Sequence, residues 1–301
     1  MRKYIPYFSA LLAMFFWASS FIAIKIAYEY MGPYTLTFLR LLAASMIMPV
    51  LYYLSPQRDR IKRKDIPSFM LLSFFEPFIY FLGESNGMLY VPASFGAIII
   101  SLIPLITPIF AWLFIKEPIT RWGIVGTVIS FGGVALLVSG NSQGTVAFKG
   151  IAFLFLAVFG AVGYGIKLRQ MAHDYKPVTI VTMQTFIGLI YFLPLFLIFE
   201  GKQFFGALPP LQAYLPVLGL AIFCTCGAFL LFTYAMLKIG LNNANIMNNT
   251  IPVFTTILAF FILKESVPVV KAIGIFIVVS GLFISQYPAL RRDKKRRRVR
   301  E

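Results

Sequence analysis

The sequence predicts an all-α integral membrane protein: ten transmembrane helices, built as two inverted five-helix repeats around a central cavity. Three observations predict it. The composition is too apolar for a water-soluble core, ten apolar stretches follow one another with short connections, and the second half of the chain repeats a pattern of the first.

Of the 301 residues, 59% are hydrophobic and 13% are charged. A water-soluble domain has nearer a half and a quarter, roughly. The excess apolar surface must face lipid. A spanning helix needs about 20 apolar residues, and the sequence offers such stretches at 5–27, 33–54, 67–89, 93–115, 121–139, 149–170, 177–199, 213–237, 242–263 and 268–287. Pro33, Pro67, Pro92, Pro177 and Pro268 sit near their starts, where a missing N–H costs little. The longest polar pieces are Ser55–Asp65, Glu200–Pro210 and the tail from Arg291, which leaves no room for a soluble catalytic domain. The first stretch follows Met1-Arg-Lys like a signal peptide, but it runs on to about Ala27, too long for such a segment, and it matches an internal repeat.

Charge sets the expected orientation. Twenty-one basic residues fall on one side if both termini are cytoplasmic: Arg2, Lys3, the cluster Arg58/Arg60/Lys62/Arg63/Lys64, Lys116, Arg121, Lys167, Arg169, Lys176, Lys238 and eight in the tail. Lys25, Lys149, Lys202, Lys264 and Lys271 fall on the other side, and Arg40 lies inside a segment. The net charge of +16 owes much to that tail. A polybasic tail beside a last helix fixes topology and meets anionic lipid heads, so nucleic acid is not the expected partner. Cys224 and Cys226 lie in one apolar run, far in sequence from His173, the single histidine. They read as small buried residues, and neither a metal site nor a cofactor is expected.

The repeat is visible at a constant offset of 148 residues, where Pro104, Thr107, Ile109, Ala111, Lys116 and Glu117 meet Pro252, Thr255, Ile257, Ala259, Lys264 and Glu265. Gly126 and Gly133 meet Gly274 and Gly281 at the same offset. Near the front, Lys25 pairs with Lys167, Pro33 with Pro177, and Arg40 falls opposite Gln184. The repeats span 1–140 and 148–287, followed by the basic tail, 288–301. An odd number of spans per repeat inverts one half against the other, a recurrent architecture of secondary transporters.

Trp17-Ala-Ser-Ser-Phe21, Arg40, and the Pro…Pro…Lys-Glu stretch of segment 4, copied in segment 9, together resemble the EamA-like transporters of the drug/metabolite transporter superfamily. The resemblance covers essentially the whole chain. It implies a central cavity lined mainly by segments 1, 3, 4, 6, 8 and 9, and export of amino acids or other small metabolites; relatives carry nucleotide sugars or sugar phosphates. Segment 6 departs from the pattern: Phe159-Gly-Ala-Val-Gly-Tyr-Gly has neither the Trp nor the Ser pair, so Trp17, Ser19 and Ser20 have no symmetric copy.

Polar groups at membrane depth are costly and mark candidate sites. Glu76, Tyr80 and Glu84 are spaced by four and share one face of segment 3. They are read either as amine recognition or proton coupling, or as carboxylates held structurally inside the bundle. Lys25 is expected at the depth of Glu84, either as its ion partner or reaching out to the nearest membrane interface. Arg40 reads as a clamp onto carbonyls or a carboxylate. Asn245, Asn248 and Asn249, beside Asn242, make the start of segment 9 unusually polar; they line a path or bond between helices. Pro104 and Pro252, mid-span at matched positions, mark a bend or a hinge. Trp17, Ser20, Tyr164 and Tyr234 complete the candidate cavity wall, with core packing as the alternative for each aromatic.

These residues describe a secondary transporter, not an enzyme, exporting amino acids or similar small metabolites by alternating access. No nucleotide-binding G-x-x-x-x-G-K-[ST] motif is present, so the cargo gradient or protons would drive it. A nucleotide-sugar or phosphorylated-metabolite carrier would need more cavity-facing cations than Lys25, Arg40 and Lys167. A membrane scaffold or embedded enzyme is the reading from another class. The expected location is a prokaryotic inner membrane.

Overall fold

The computed structural model describes residues 4–56, 58–107, 110, 121–139, 148–171, 174–240, 244, 247–266 and 268–298. These residues form helices and connections, with no strand among them. A chain in lipid must satisfy its backbone polar groups within each segment, which selects helix. The apolar segments are α1 (Ile5–Ala27), α2 (Pro33–Leu54), α3 (Arg63–Met88), α4 (Ala93–Thr107), α5 (Arg121–Ser139), α6 (Phe148–Met171), α7 (Pro177–Phe199), α8 (Leu211–Ile239), α9 (Met247–Ile262) and α10 (Val269–Arg298). Six of them, α1, α2, α3, α6, α7 and α8, are long and apolar enough to cross a membrane; the apolar parts of α4, α5, α9 and α10 are shorter within the described residues. α2 and α7 start on Pro33 and Pro177 after extended residues, Gly32 (ψ 173°) and Lys176 (ψ 156°), the geometry that proline at the first helical position favours.

Four segments depart from plain helix in matched pairs. α3 widens into a π-type turn over Phe74–Ile79, and inside it Glu76 is extended (φ −149°, ψ 119°), with a cis bond to Pro77. α8 widens over Leu220–Gly227. α4 is interrupted at Ser101 and Leu102, and α9 opens with a 3₁₀ turn, Met247–Thr250. Pro104 and Pro252 therefore sit in the first turn of the helix that follows each interruption, where proline is tolerated, rather than in mid-helix. α10 continues to Arg298 instead of ending near 287, because Lys and Arg are good helix formers.

The packing is reciprocal. α1 lies on α8, and α6 lies on α3. α2 meets the widened turn of α8, and α7 meets that of α3. α1 also touches α9 as α6 touches α4, while α2 packs on α7, α4 on α9 and α5 on α10. Small residues permit the closest of these contacts. A Cβ on Gly83 would stand 2.5 Å from Phe153 O and Ala157 N, and one on Gly126 2.4 Å from Gly281 O. Gly133 presses likewise on Val278 and Gly274, so the glycines of α5 and α10 interlock crosswise. Gly132 has nothing near it and takes no part in that seam.

Carboxylates close the two ends of the bundle. At the distal end, where α1 finishes, Glu200 accepts from the N–H groups of Tyr34 (3.2 Å) and Thr35 (2.7 Å) at the start of α2. Glu265 accepts from Ala93 N (2.7 Å) and from the Ser94 hydroxyl (2.5 Å) at the start of α4. At the proximal end, Asp59 Oδ2 accepts from Lys176 N (2.5 Å) and from the Thr179 hydroxyl (3.2 Å) at the start of α7. Tyr175 donates to Asp65 Oδ2 at 2.7 Å. Glu200, Glu265 and Asp59 each meet the otherwise unpaired amides and positive dipole of a helix N-terminus, whereas Asp65 is held by a tyrosine hydroxyl.

Candidate transport site at the broken third helix

Among the described residues, three charged side chains are buried: Arg40, Glu76 and Glu84, at 3%, 7% and 2% exposure. All three lie in the middle of the bundle. Arg40, on α2, places Nη1 3.7 Å from Glu84 Oε2. Its Nε donates to Thr225 Oγ1 on α8 at 2.7 Å, and its guanidinium covers the Phe81 ring at 4.0 Å. Glu84 Oε1 accepts from the Tyr80 hydroxyl at 2.9 Å. One arginine thus ties α2, α3 and α8 together. The spacing of four that aligns Tyr80 with Glu84 does bring those two groups into contact.

The pairing of Lys25 with Glu84 is overturned. Lys25 Nζ donates to the Met88 carbonyl at 2.6 Å. It stands one turn beyond Glu84, beside the last carbonyls of α3, which lack helical partners and attract a cation. The partner of Glu84 is Arg40, the residue whose depth already marked it as a clamp.

Glu76 differs from Glu84. It is 7% exposed, no hydrogen bond or ion pair joins its side chain to any described residue, and its oxygens, unlike Glu84 Oε2, are not wholly closed off from the space around them. Tyr80, Glu84, Arg40 and Tyr164 are within electrostatic reach of it. The Tyr164 hydroxyl donates to Gln184 Oε1 at 3.2 Å, and its ring meets Phe229 edge-on at 6.1 Å. Phe229 and Phe232 flank the Trp17 indole at 5.3 and 5.1 Å. Trp17 Nε1 donates to the Cys224 carbonyl at 3.2 Å, which anchors α1 to the widened turn of α8.

The other predicted residues fall variously. The Ser20 hydroxyl turns back to its own helix, donating to Trp17 O at 2.7 Å, as serines in helices do. Tyr234 is half-buried near the end of α8. Asn248 and Asn249 are buried in the 3₁₀ turn of α9, which packs on α1, and Asn248 Oδ1 has no hydrogen-bond partner among the described residues. Asn242, Asn245, Lys116, Glu117 and His173 lie outside the described residues. Cys224 and Cys226 are buried free thiols. No group of acidic, cysteine or histidine side chains among the described residues is arranged to hold a metal ion.

Three partners were given no contact from the sequence: Thr225, Gln184 and Glu265. Thr225 had no signal beyond polarity in an apolar run, and Gln184 only its place opposite Arg40 in the repeat. Glu265 had one, since the doubled Lys-Glu motif ends on it.

The model of the EamA-like transporter family matches this chain over residues 4–139 and again over 148–287. The chain belongs to the EamA-like transporter family. It is a multi-pass integral membrane protein and a membrane transporter, acting on small molecules from within the lipid bilayer. An uncharacterized transporter of Archaeoglobus fulgidus is 27% identical over 94% of this chain and 98% of its own length. The uncharacterized transporter YetK of Bacillus subtilis is 26% identical, covering 93% and 86%. A "Probable terminal-alkyne amino-acid exporter" of Streptantibioticus cattleyicolor is 22% identical, covering 93% and 92%. A solved crystal structure shares the fold, with a TM-score of 0.70 and 16% identity over 94% of this chain and 97% of that one.

Proposed function

We propose that this EamA-family protein is a secondary transporter that exports amino acids or similar small amine-bearing metabolites by alternating access. The observation that carries it is the reciprocal packing. Exchange α1 with α6, α2 with α7, α3 with α8, α4 with α9 and α5 with α10, and the most extensive helix contacts exchange with one another, although α1 also touches α3 and α4 in ways that α6 does not repeat on α8 and α9 among the described residues. A two-fold relation between halves of five helices gives this pattern, and halves so related pack equally well in an inward-open and an outward-open form. The interruptions before Pro104 and Pro252 fall at equivalent points of α4 and α9, where a rocking half needs its bend.

The same reading makes all ten segments membrane-crossing. It places both termini on the cytoplasmic side of a prokaryotic inner membrane, as the basic residues favour. The site residues are Glu76 and Tyr80 on α3, Tyr164 on α6 and Trp17 on α1, with Asn248 and Asn249 on α9. The name of the Streptantibioticus relative raises amino acids as cargo. A phosphorylated cargo is less well supported, because Lys25 and Arg40 are each bound to groups of the protein.

The test is efflux from proteoliposomes loaded with a mixed pool of amino acids, amines, carboxylates and nucleotide sugars, read by mass spectrometry. Selective loss of amine-bearing compounds is expected. Loss of nucleotide sugars alone would replace this reading with the phosphorylated-metabolite carrier. A folded sample that releases nothing would point to a scaffold or an embedded enzyme.

A further inference from the structure

We infer that Glu76 is a single exchange site at which a proton and a protonated organic amine displace each other, while the Arg40–Glu84 pair stays closed. The use of this exchange in export rests on the transporter reading above; the binding step stands without it.

The argument begins with charge. The buried set holds two carboxylates and one guanidinium. The guanidinium is engaged on every side, by Glu84, by Thr225 and by the face of Phe81. Among the described residues, the second carboxylate therefore has no ion-pair partner. A buried charge without a partner is strongly unfavourable. Glu76 must take up either a proton or a cation from outside.

The neighbours of Glu76 leave it that choice. On α3 itself stand Tyr80, which donates to Glu84, and Glu84, which faces Arg40 of α2. α6 contributes Tyr164, bound to Gln184 of α7, and Lys167 nearer its end, which makes no ion pair with Glu76. α7 contributes Tyr191, whose hydroxyl donates to Met70 O at 3.3 Å. None of these donates to the Glu76 carboxylate.

The surroundings suit an ammonium group on an apolar body. Helix geometry is interrupted at Glu76, which stands extended inside the widened turn of α3. From Tyr164 an aromatic row runs through Phe229 and Trp17 to Phe232, and aromatic faces attract organic cations. A carboxylate on the cargo, by contrast, meets no uncommitted cation among the buried described side chains, since Arg40 is held by Glu84 and Lys167 lies nearer the end of α6. Recognition is thus of the amine end, and a decarboxylated amine binds at least as well as its parent amino acid. The step balances as follows: the Glu76 carboxylic acid and R–NH3⁺ give the carboxylate–ammonium pair and one released H⁺. Only an O–H bond breaks.

The experiment uses the full chain, purified in detergent in weakly buffered solution with a pH-sensitive dye. Phenethylamine is the probe, phenylalanine and 3-phenylpropionate the competitors. The expected result is release of close to one proton per amine bound. Phenylalanine should compete no better than phenethylamine, and 3-phenylpropionate should not compete. Glu76→Gln should abolish proton release and weaken amine binding about tenfold or more; Glu76→Asp, which keeps the charge, should restore release. Three results would overturn the inference: amine binding without proton release, undiminished binding and release by a folded Glu76→Gln, or competition by 3-phenylpropionate equal to that by the amine. If the efflux pool is transported but phenethylamine neither binds nor moves, this inference falls and the transporter reading stands. If the amine binds with proton release but no pool member crosses, the exchange site stands and the transporter reading falls.

Discussion

α3 and α8 occupy equivalent places in the two halves and share a backbone irregularity, yet they differ in chemistry. Both widen at matched positions, Phe74–Ile79 and Leu220–Gly227. At the 148-residue offset, Glu76 meets Cys224, Tyr80 meets Ala228 and Glu84 meets Phe232. In α3 the turn exposes a carboxylate without a partner. In α8 the Cys224 thiol donates to Phe16 O at 3.0 Å, and the Cys224 carbonyl accepts from Trp17. The same bend is a polar site in one half and a sealed joint in the other. In the proposed transport cycle, the shared bend serves the motion of the halves and the differing side chains supply one site instead of two.

The comparison breaks most severely at Arg40, which bonds to the widened turn of α8 through Thr225 and to α3 just beyond its own turn through Glu84. Arg40→Leu or Glu84→Leu alone leaves a buried uncompensated charge and should cost about 3–5 kcal/mol, whereas the double variant should lose far less than the sum. Thermal unfolding in detergent checks this; single variants as mild as the double would dissolve the pair. Next comes the seam that holds α6 on α3. Gly83→Ala drives a Cβ into the backbone of α6 and should destabilise by about 1–3 kcal/mol. Gly132→Ala and Gly165→Ala meet open space and should be neutral or stabilising by up to about 1 kcal/mol in the same assay.

Glu265→Ala removes the cap on α4, a loss of about 0.5–2 kcal/mol. It should also raise the rate at which a cysteine placed at Ala93 is labelled from the distal side. An unchanged labelling rate would mean that the clasp does not hold that end shut. Smallest of all, Cys224→Ala removes one weak thiol hydrogen bond and should shift stability by less than about 1 kcal/mol. Cys224→Glu, which copies the first half into the second, should be much more harmful, because it would set a second carboxylate beside Arg40, which is already paired with Glu84.

Much of this was readable from one-dimensional pattern. Predicted bounds of α1, α2 and α7 coincide with the helices, since a long apolar run between a proline and a polar break has one solution in lipid. The face shared by Tyr80 and Glu84 followed from helical spacing. The choice between Lys25 and Arg40 as partner of Glu84 did not, because it depends on which neighbouring helix comes closest and at what height. The fate of Ser20 was equally hidden: a serine hydroxyl that bonds its own backbone looks, in sequence, like one that faces a cargo.

The sequence by itself determined that the chain lives in a bilayer, where its long apolar helices lie, and that a pattern of the first half recurs in the second. Composition and periodicity decide those matters, because the hydrophobic effect and backbone satisfaction act locally along the chain. Only the tertiary structure decided which polar groups are satisfied by one another and which is left over. That depends on helix order, rotation and height, set by glycine contacts between segments more than sixty residues apart. Glu76 and Glu84 are eight residues apart on one helix, and only the position of Arg40 across the bundle makes one of them a strut and leaves the other without a partner.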